Sequence, residues 1–88
     1  MSDPKTVYVD VREPQEFAAG HVEGAINVPP ASLMSGAPQL AEIPKDTPLV
    51  MYCITGSRSN VAIRILSDLG YTNLTNGMNQ ARVEASLS

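Results

Sequence analysis

Residues 49–60 read LVMYCITGSRSN, an apolar run that leads into a cysteine and then into a polar loop containing glycine. The run Leu49–Tyr52 has the length and composition of a buried strand. Beyond the loop, apolar residues recur at helical spacing on one face, and Gly70 is a typical helix end. The sequence therefore predicts a strand that Cys53 closes, a tight loop, and a helix that begins within residues 57–60.

The composition limits the classes of protein that the chain can represent. Its 88 residues are 43% hydrophobic and 17% charged, which fits a single domain over residues 1–88. A formal net charge of −3 and the lack of a basic run argue against a nucleic-acid partner. One cysteine and one histidine exclude an intramolecular disulfide and a clustered metal site, so we expect no cofactor.

The sequence gives no indication of a membrane partner. No apolar run approaches the roughly 20 residues of a membrane span. The first residues, 1–5, lack the charged and apolar regions of a signal peptide. We expect a cytoplasmic protein, or a periplasmic one if a signal peptide has been removed.

Strands and helices alternate in the remaining sequence. Residues 7–11 have valine at every second position, which predicts a strand that ends near Asp10. Further segments are predicted as a helix at residues 13–19 that ends at Gly20, a strand at 25–28, helical turns within 31–42, a strand at 71–74, a turn at 76–77 and a final helix at 78–87. Met34, Met51 and Met78 are expected to fill the core.

This alternation predicts an α/β fold with a small, mainly parallel sheet flanked by helices. In such sheets ligands bind beyond the carboxyl ends of the strands. Asp10 and Cys53 each end a strand, so both are expected at the same edge of the sheet.

Cys53 is the candidate nucleophile because its loop favours a thiolate. A helix N-terminus or a neighbouring cation lowers the pKa of a thiol, and Arg58 supplies a cation. Gly56 permits the backbone to fold its N–H groups inward around an anion. The alternative interpretation is that Cys53 is a small buried apolar residue at the end of a strand.

The sequence resembles the rhodanese family of sulfurtransferases in three segments whose order and spacing match: residues 10–17 (DVREPQEF), 20–29 (GHVEGAINVP) and 52–59 (YCITGSRS). The resemblance covers nearly the whole chain and implies a rhodanese-like fold, as in the compact single-domain members. It departs from the family's frequent Gly-Gly and tryptophan after the last strand, because here Gly77 is followed by Met78 and the chain has no tryptophan.

The resemblance implies that Cys53 carries a sulfane sulfur as a persulfide. A small anionic donor such as thiosulfate would supply the sulfur, and a thiophilic acceptor such as cyanide, a thiol or a protein would take it. The residues that would bind the sulfur through inward N–H groups are Ile54, Thr55, Gly56, Ser57, Arg58 and Ser59.

The sequence leaves two alternative functions. One is a non-catalytic persulfide carrier or protein-binding module. The other is a small phosphatase or arsenate reductase, but such relatives have a longer loop, whereas four residues separate Cys53 from Arg58 here.

Several residues have both a structural and a functional interpretation. Asp10 and Arg12 are expected to form a supporting ion pair at the strand end. Arg58 either attracts an anionic donor or binds a carboxylate such as Glu16 or Asp10. Ser59 is expected to cap the helix rather than to donate to the sulfur, and His21 is expected to make a structural hydrogen bond.

Overall fold

The structure, a computed structural model, describes residues 5–87. Its strands are β1 (Val7–Asp10), β2 (Ile26–Asn27), β3 (Leu49–Cys53) and β4 (Leu74–Asn79). Its helices are α1 (Pro14–Ala19), α2 (Pro30–Met34), α3 (Ser57–Asp68) and α4 (Gln80–Leu87), with a short 3-10 helix at Pro38–Leu40. The strands form one parallel sheet in the order β2-β1-β3-β4. The predicted α/β fold, with a parallel sheet and flanking helices, is confirmed.

Residues 1–4, which form most of the segment behind the signal-peptide expectation, lie outside the described part of the chain, as does Ser88. Within residues 5–87 no helix is long and apolar enough to cross a bilayer.

The central strand is β3, which pairs with β1 on one side and with β4 on the other. Its side chains alternate between two apolar clusters. Leu49, Met51 and Cys53 belong to the cluster that includes residues of α2 and α3, whereas Tyr52 packs with Val83 of α4. Because both faces of the strand are covered, its sequence is a continuous apolar run rather than an alternating one.

The strand ends place two predicted site residues at one edge of the sheet. Asp10, the last residue of β1, lies opposite Tyr52 in the parallel register. Cys53 is the next residue and ends β3. The expectation that Asp10 and Cys53 share this edge is confirmed.

The predicted strand at residues 71–74 is wrong, because β4 begins only at Leu74. Tyr71 instead closes the end of α3, where its N–H donates to the carbonyl of Leu66. Its hydroxyl donates to the carbonyl of Leu40 at 2.8 Å. These side-chain and helix-end bonds fix Tyr71 outside the sheet.

The predicted turn at residues 76–77 is also wrong, because both residues lie within β4. The register between β3 and β4 shifts by one residue, since Asn76 pairs with Met51 while Met78 pairs with Tyr52. Gly77 is therefore the extra residue of a β-bulge. Met78 belongs to β4, so the predicted start of the final helix moves to Gln80.

Gly77 is required by the packing of α4 across β4. A Cβ atom on Gly77 would lie 2.6 Å from Cγ2 of Val83 and 2.8 Å from Cγ1 of Val50. These are closer than any normal contact between carbon atoms, so a side chain would push the helix away from the sheet.

The three methionines expected to fill the core differ in burial. Met51 is fully buried, as predicted, and Met78 is partly buried. The prediction is wrong for Met34, whose exposure is 79%. It ends the short helix α2 and borders a shallow apolar groove between α2 and α3 that also contacts Val61 and Arg58.

We predict that Gly77→Ala lowers the free energy of unfolding by about 1–3 kcal/mol, because the new methyl group overpacks the interface between α4 and β4. Chemical denaturation would measure the change. Thr75→Ala is the control, since Thr75 is exposed in the same strand.

The double variant Gly77→Ala/Val83→Ala tests the cause. Removing the methyl groups of Val83 should relieve the overlap, so the double variant should lose less stability than the two single variants added together. Strict additivity would contradict the proposed contact.

Candidate active site

Cys53 lies where β3 passes into α3 through a loop of three residues, 54–56. The cysteine is only 2% exposed and has a free thiol. Gly56 precedes the first turn of α3 with φ of 93° and ψ of −11°, a left-handed conformation that glycine adopts without strain. This turn directs the backbone back toward the sulfur.

The loop supplies hydrogen-bond donors to Cys53. The N–H of Gly56 donates to Sγ at 3.1 Å. Burial alone would raise the pKa of the thiol, but the Ser59 hydroxyl and the N–H groups of Ser59, Gly56 and Thr55 outweigh it and lower the pKa of Cys53 to about 7. The lowered pKa favours the thiolate, which is the nucleophilic form of a cysteine.

Ser59 contributes to the site through its hydroxyl, the alternative that its place in the sequence favours less than a helix cap. The expected helix cap is wrong, because the N-cap position belongs to Gly56 and Ser59 lies inside α3. Its hydroxyl is fully buried and has no hydrogen-bond partner of good geometry within residues 5–87, yet it favours the anionic form of Cys53. A buried hydroxyl without a partner is costly, and an anionic sulfur would satisfy it.

Arg58 binds Glu16 of α1. The guanidinium donates to both carboxylate oxygens, Nη1 to Oε1 at 2.9 Å and Nη2 to Oε2 at 3.3 Å. The bond from Arg58, together with one from the N–H of Glu13, lowers the pKa of Glu16 to about 2. This pair confirms the structural interpretation of Arg58, and its role toward a donor stays a prediction.

Asp10 and Arg12 form the expected ion pair beside the loop. Nη2 of Arg12 lies 2.6 Å from Oδ2 of Asp10, which is fully buried. Tyr52 joins them, since its hydroxyl donates to Oδ2 of Asp10 at 3.0 Å and accepts the N–H of Val22 at 2.9 Å. Burial is the main cause that raises the pKa of Tyr52 to about 12. The network therefore ties the ends of β1 and β3 together.

His21 has the structural role expected for it. Its Nδ1 lies 2.8 Å from the carbonyl oxygen of Phe17, and its ring stacks on the Phe17 ring with centroids 3.6 Å apart.

Across residues 5–87 no group of three or more His, Cys, Asp or Glu side chains could hold a metal ion.

Three of the predicted sulfur-binding residues are seen to act on Cys53. Thr55, Gly56 and Ser59 direct N–H groups to Cys53. Ile54 is 55% exposed, and the Ser57 hydroxyl bonds with that of Thr55 at 2.9 Å. Binding of a substrate by residues 54–59 remains a prediction.

Two residues of β4 reach the loop without having been assigned to the site. Nδ2 of Asn76 donates to the carbonyl of Gly56 at 3.0 Å. The thioether of Met78 lies against Gly56, where a Cβ atom would come within 2.7 Å of Sδ. The only sequence signal for Met78 is its departure from the family's frequent Gly-Gly pair. No local pattern in the sequence indicates that Asn76 belongs to the site.

Known proteins resemble this chain in both sequence and fold. The sequence matches the rhodanese-like domain family over residues 1–82. Thiosulfate sulfurtransferase PspE of Escherichia coli is 38% identical over 69 residues, which cover 78% of this chain and 65% of PspE. A tRNA uridine(34) hydroxylase of Photorhabdus laumondii is 35% identical over 77 residues, and the chain covers only 22% of that protein.

The solved structures agree with the sequence comparison. The structure of a rhodanese with anions from Escherichia coli superposes with a TM-score of 0.76 at 32% identity, covering 88% of this chain and 89% of that chain. The family match extends over most of the chain and includes the cysteine loop. The chain belongs to the rhodanese-like domain family.

Proposed function

We propose that the protein is a thiosulfate sulfurtransferase in which Cys53 carries the sulfur as a persulfide. The observation that supports this most directly is the hydrogen bond from the Gly56 N–H to Sγ of Cys53, at 3.1 Å. An N–H aimed at sulfur stabilises an anion on that atom and does so without reorganisation during the reaction. The name of the relative PspE, thiosulfate sulfurtransferase, agrees with this chemistry.

The reaction has two steps with Cys53 as the nucleophile in the first. The thiolate attacks the outer sulfur of thiosulfate, the sulfur–sulfur bond of the donor breaks, and sulfite leaves with the bonding electron pair. The product is a persulfide anion on Cys53. Cyanide or a thiolate then attacks the outer sulfur, and Cys53 leaves as a thiolate ready for the next cycle.

The site offers the donor little net positive charge. Arg58 is the cation in the first turn of α3, and the carboxylate of Glu16 neutralises it. Oriented N–H groups and the Ser59 hydroxyl therefore provide the stabilisation at the sulfur. This arrangement fits a site that accommodates a charge on one sulfur atom.

We predict that exposure of the reduced protein to thiosulfate adds one sulfur, about 32 Da, to its intact mass. Cyanide should remove the added mass and release thiocyanate, which a colorimetric assay would detect. Cys53→Ser should show neither effect. No gain of mass in the folded, reduced protein would contradict the proposal, whereas a gain without turnover would indicate a persulfide carrier.

We predict that the alkylation rate of Cys53 by iodoacetamide has a midpoint near pH 7. Because the pKa of Cys53 is lowered to about 7, the thiolate is lost only as the pH falls through that value. Ser59→Ala should raise the midpoint by up to about one pH unit, toward the ordinary thiol value, and should slow alkylation near pH 6 by up to about tenfold.

Ser67→Ala is the matched control for this measurement. Ser67 is exposed and lies in the last turns of the same helix, so its loss should leave the midpoint unchanged. An unchanged midpoint in Ser59→Ala would show that the buried hydroxyl does not act on the sulfur.

We predict that Arg58→Ala weakens the use of thiosulfate and that Glu16→Gln does not. Loss of the cation should raise KM several-fold, and by up to about tenfold. Glu16→Gln removes the opposing charge but keeps an oxygen that can accept the N–H of Glu13, so KM should fall or stay constant. A similar loss of activity in both variants would mean that Arg58 acts only through the ion pair.

A further inference from the structure

The side chain of Asn76 connects the bulge of β4 to the cysteine loop. Its Nδ2 donates to the carbonyl of Gly56 at 3.0 Å and to Oδ1 of Asn60 at 3.1 Å. Its Oδ1 accepts the N–H of Met78 at 2.9 Å. One amide group therefore makes hydrogen bonds to the loop, to α3 and to the strand.

Gly56 needs such a restraint because its backbone has wide conformational freedom. Its N–H donates to Sγ of Cys53, while its carbonyl accepts both Nδ2 of Asn76 and the N–H of Asn60. The carbonyl and the N–H flank the same Cα atom. Fixing the carbonyl from two sides limits rotation at Gly56 and so keeps its N–H aimed at the sulfur.

The bulge supplies the second half of the restraint. Met78 has φ of 75°, a left-handed conformation that is strained for a residue other than glycine. Its N–H is held by Asn76, and its Sδ occupies the space beside Gly56 that a Cβ atom would need. Such strain persists only where surrounding contacts determine the conformation. Here those contacts join Met78 to Asn76 and to Gly56 of the cysteine loop.

We infer that Asn76 is a positioning residue for the Cys53 thiolate, acting through the carbonyl of Gly56. This inference rests on the proposed function, because it concerns the same nucleophile. In the hydrogen bonds that the structure describes, Asn76 bonds neither to the sulfur nor to the donors Thr55 and Ser59, and its effect on the sulfur passes through the Gly56 peptide.

The test is Asn76→Ala, with two readouts on the purified, reduced protein. The pH dependence of iodoacetamide alkylation should shift to higher pH and slow the reaction near pH 6 several-fold, since the Gly56 N–H is no longer held toward the sulfur. The amide hydrogen of Gly56, followed by nuclear magnetic resonance, should exchange with solvent faster than in the parent protein.

Asn27→Ala is the matched control. Asn27 lies on β2 at the opposite edge of the sheet, and its Nδ2 makes two hydrogen bonds, to the carbonyls of Asp10 and Arg12. Its loss should lower stability without changing the titration of Cys53. Asn60→Ala removes the other acceptor of Asn76 Nδ2. This variant should also leave the titration of Cys53 unchanged.

Asn76→Asp covers the case in which Asn76→Ala does not fold. The carboxylate keeps an acceptor for the N–H of Met78 and loses the donor to Gly56, so the bulge should survive while the exchange of the Gly56 amide accelerates. A Gly56 amide and a thiol titration that both match the parent protein would overturn the inference. Neither readout uses a sulfur donor, so its failure is distinct from a failure of sulfur transfer.

Discussion

The hydrogen bond from Gly56 N–H to Cys53 Sγ is the constraint on which the site depends. It requires a left-handed residue between a strand and a helix, and Gly56 meets that requirement with φ of 93°. The parallel sheet fixes the strand end, and α3 fixes the opposite end of the loop. Three residues span this interval, and the left-handed conformation of Gly56 turns its N–H toward the sulfur. The fold thereby generates an anion site from backbone atoms in a chain with net charge −3.

Local charge joins elements of the fold through two ion pairs. Arg58 binds Glu16, and Arg12 binds Asp10, so each guanidinium near the loop has a carboxylate partner. The first pair joins α3 to α1, and the second fixes the end of β1. Neutral dipoles therefore stabilise the thiolate. Their effect is short in range and strong in a buried site. The pKa of Cys53, at about 7 despite burial, reflects that balance.

The sequence predicts those parts of the molecule whose signals are local. An apolar run, a glycine and a helical repeat are sufficient to place β3, the loop and α3, and the resemblance to rhodaneses identifies the cysteine. The bulge at Gly77 depends on contacts with Val50 and with α4, so the pair Asn76-Gly77 alone is typical of a turn. Ser59 is misassigned for a similar reason, since a serine near a helix start suggests a cap and its burial arises only from tertiary packing.

The same balance places the pKa of the Cys53 thiol near neutrality rather than far below it. A thiolate of very low pKa is abundant but a weak nucleophile, and the best attacking thiols have a pKa near the ambient pH. Burial of Cys53, to which the apolar packing of its cluster contributes, opposes the hydrogen bonds of the loop. Removing either influence would move the pKa away from neutrality, upward without the donors and downward without the burial. The apolar core and the polar loop therefore set the pKa of the thiol together, and the bulge of β4 lies at their boundary because Met78 and Asn76 both contact Gly56.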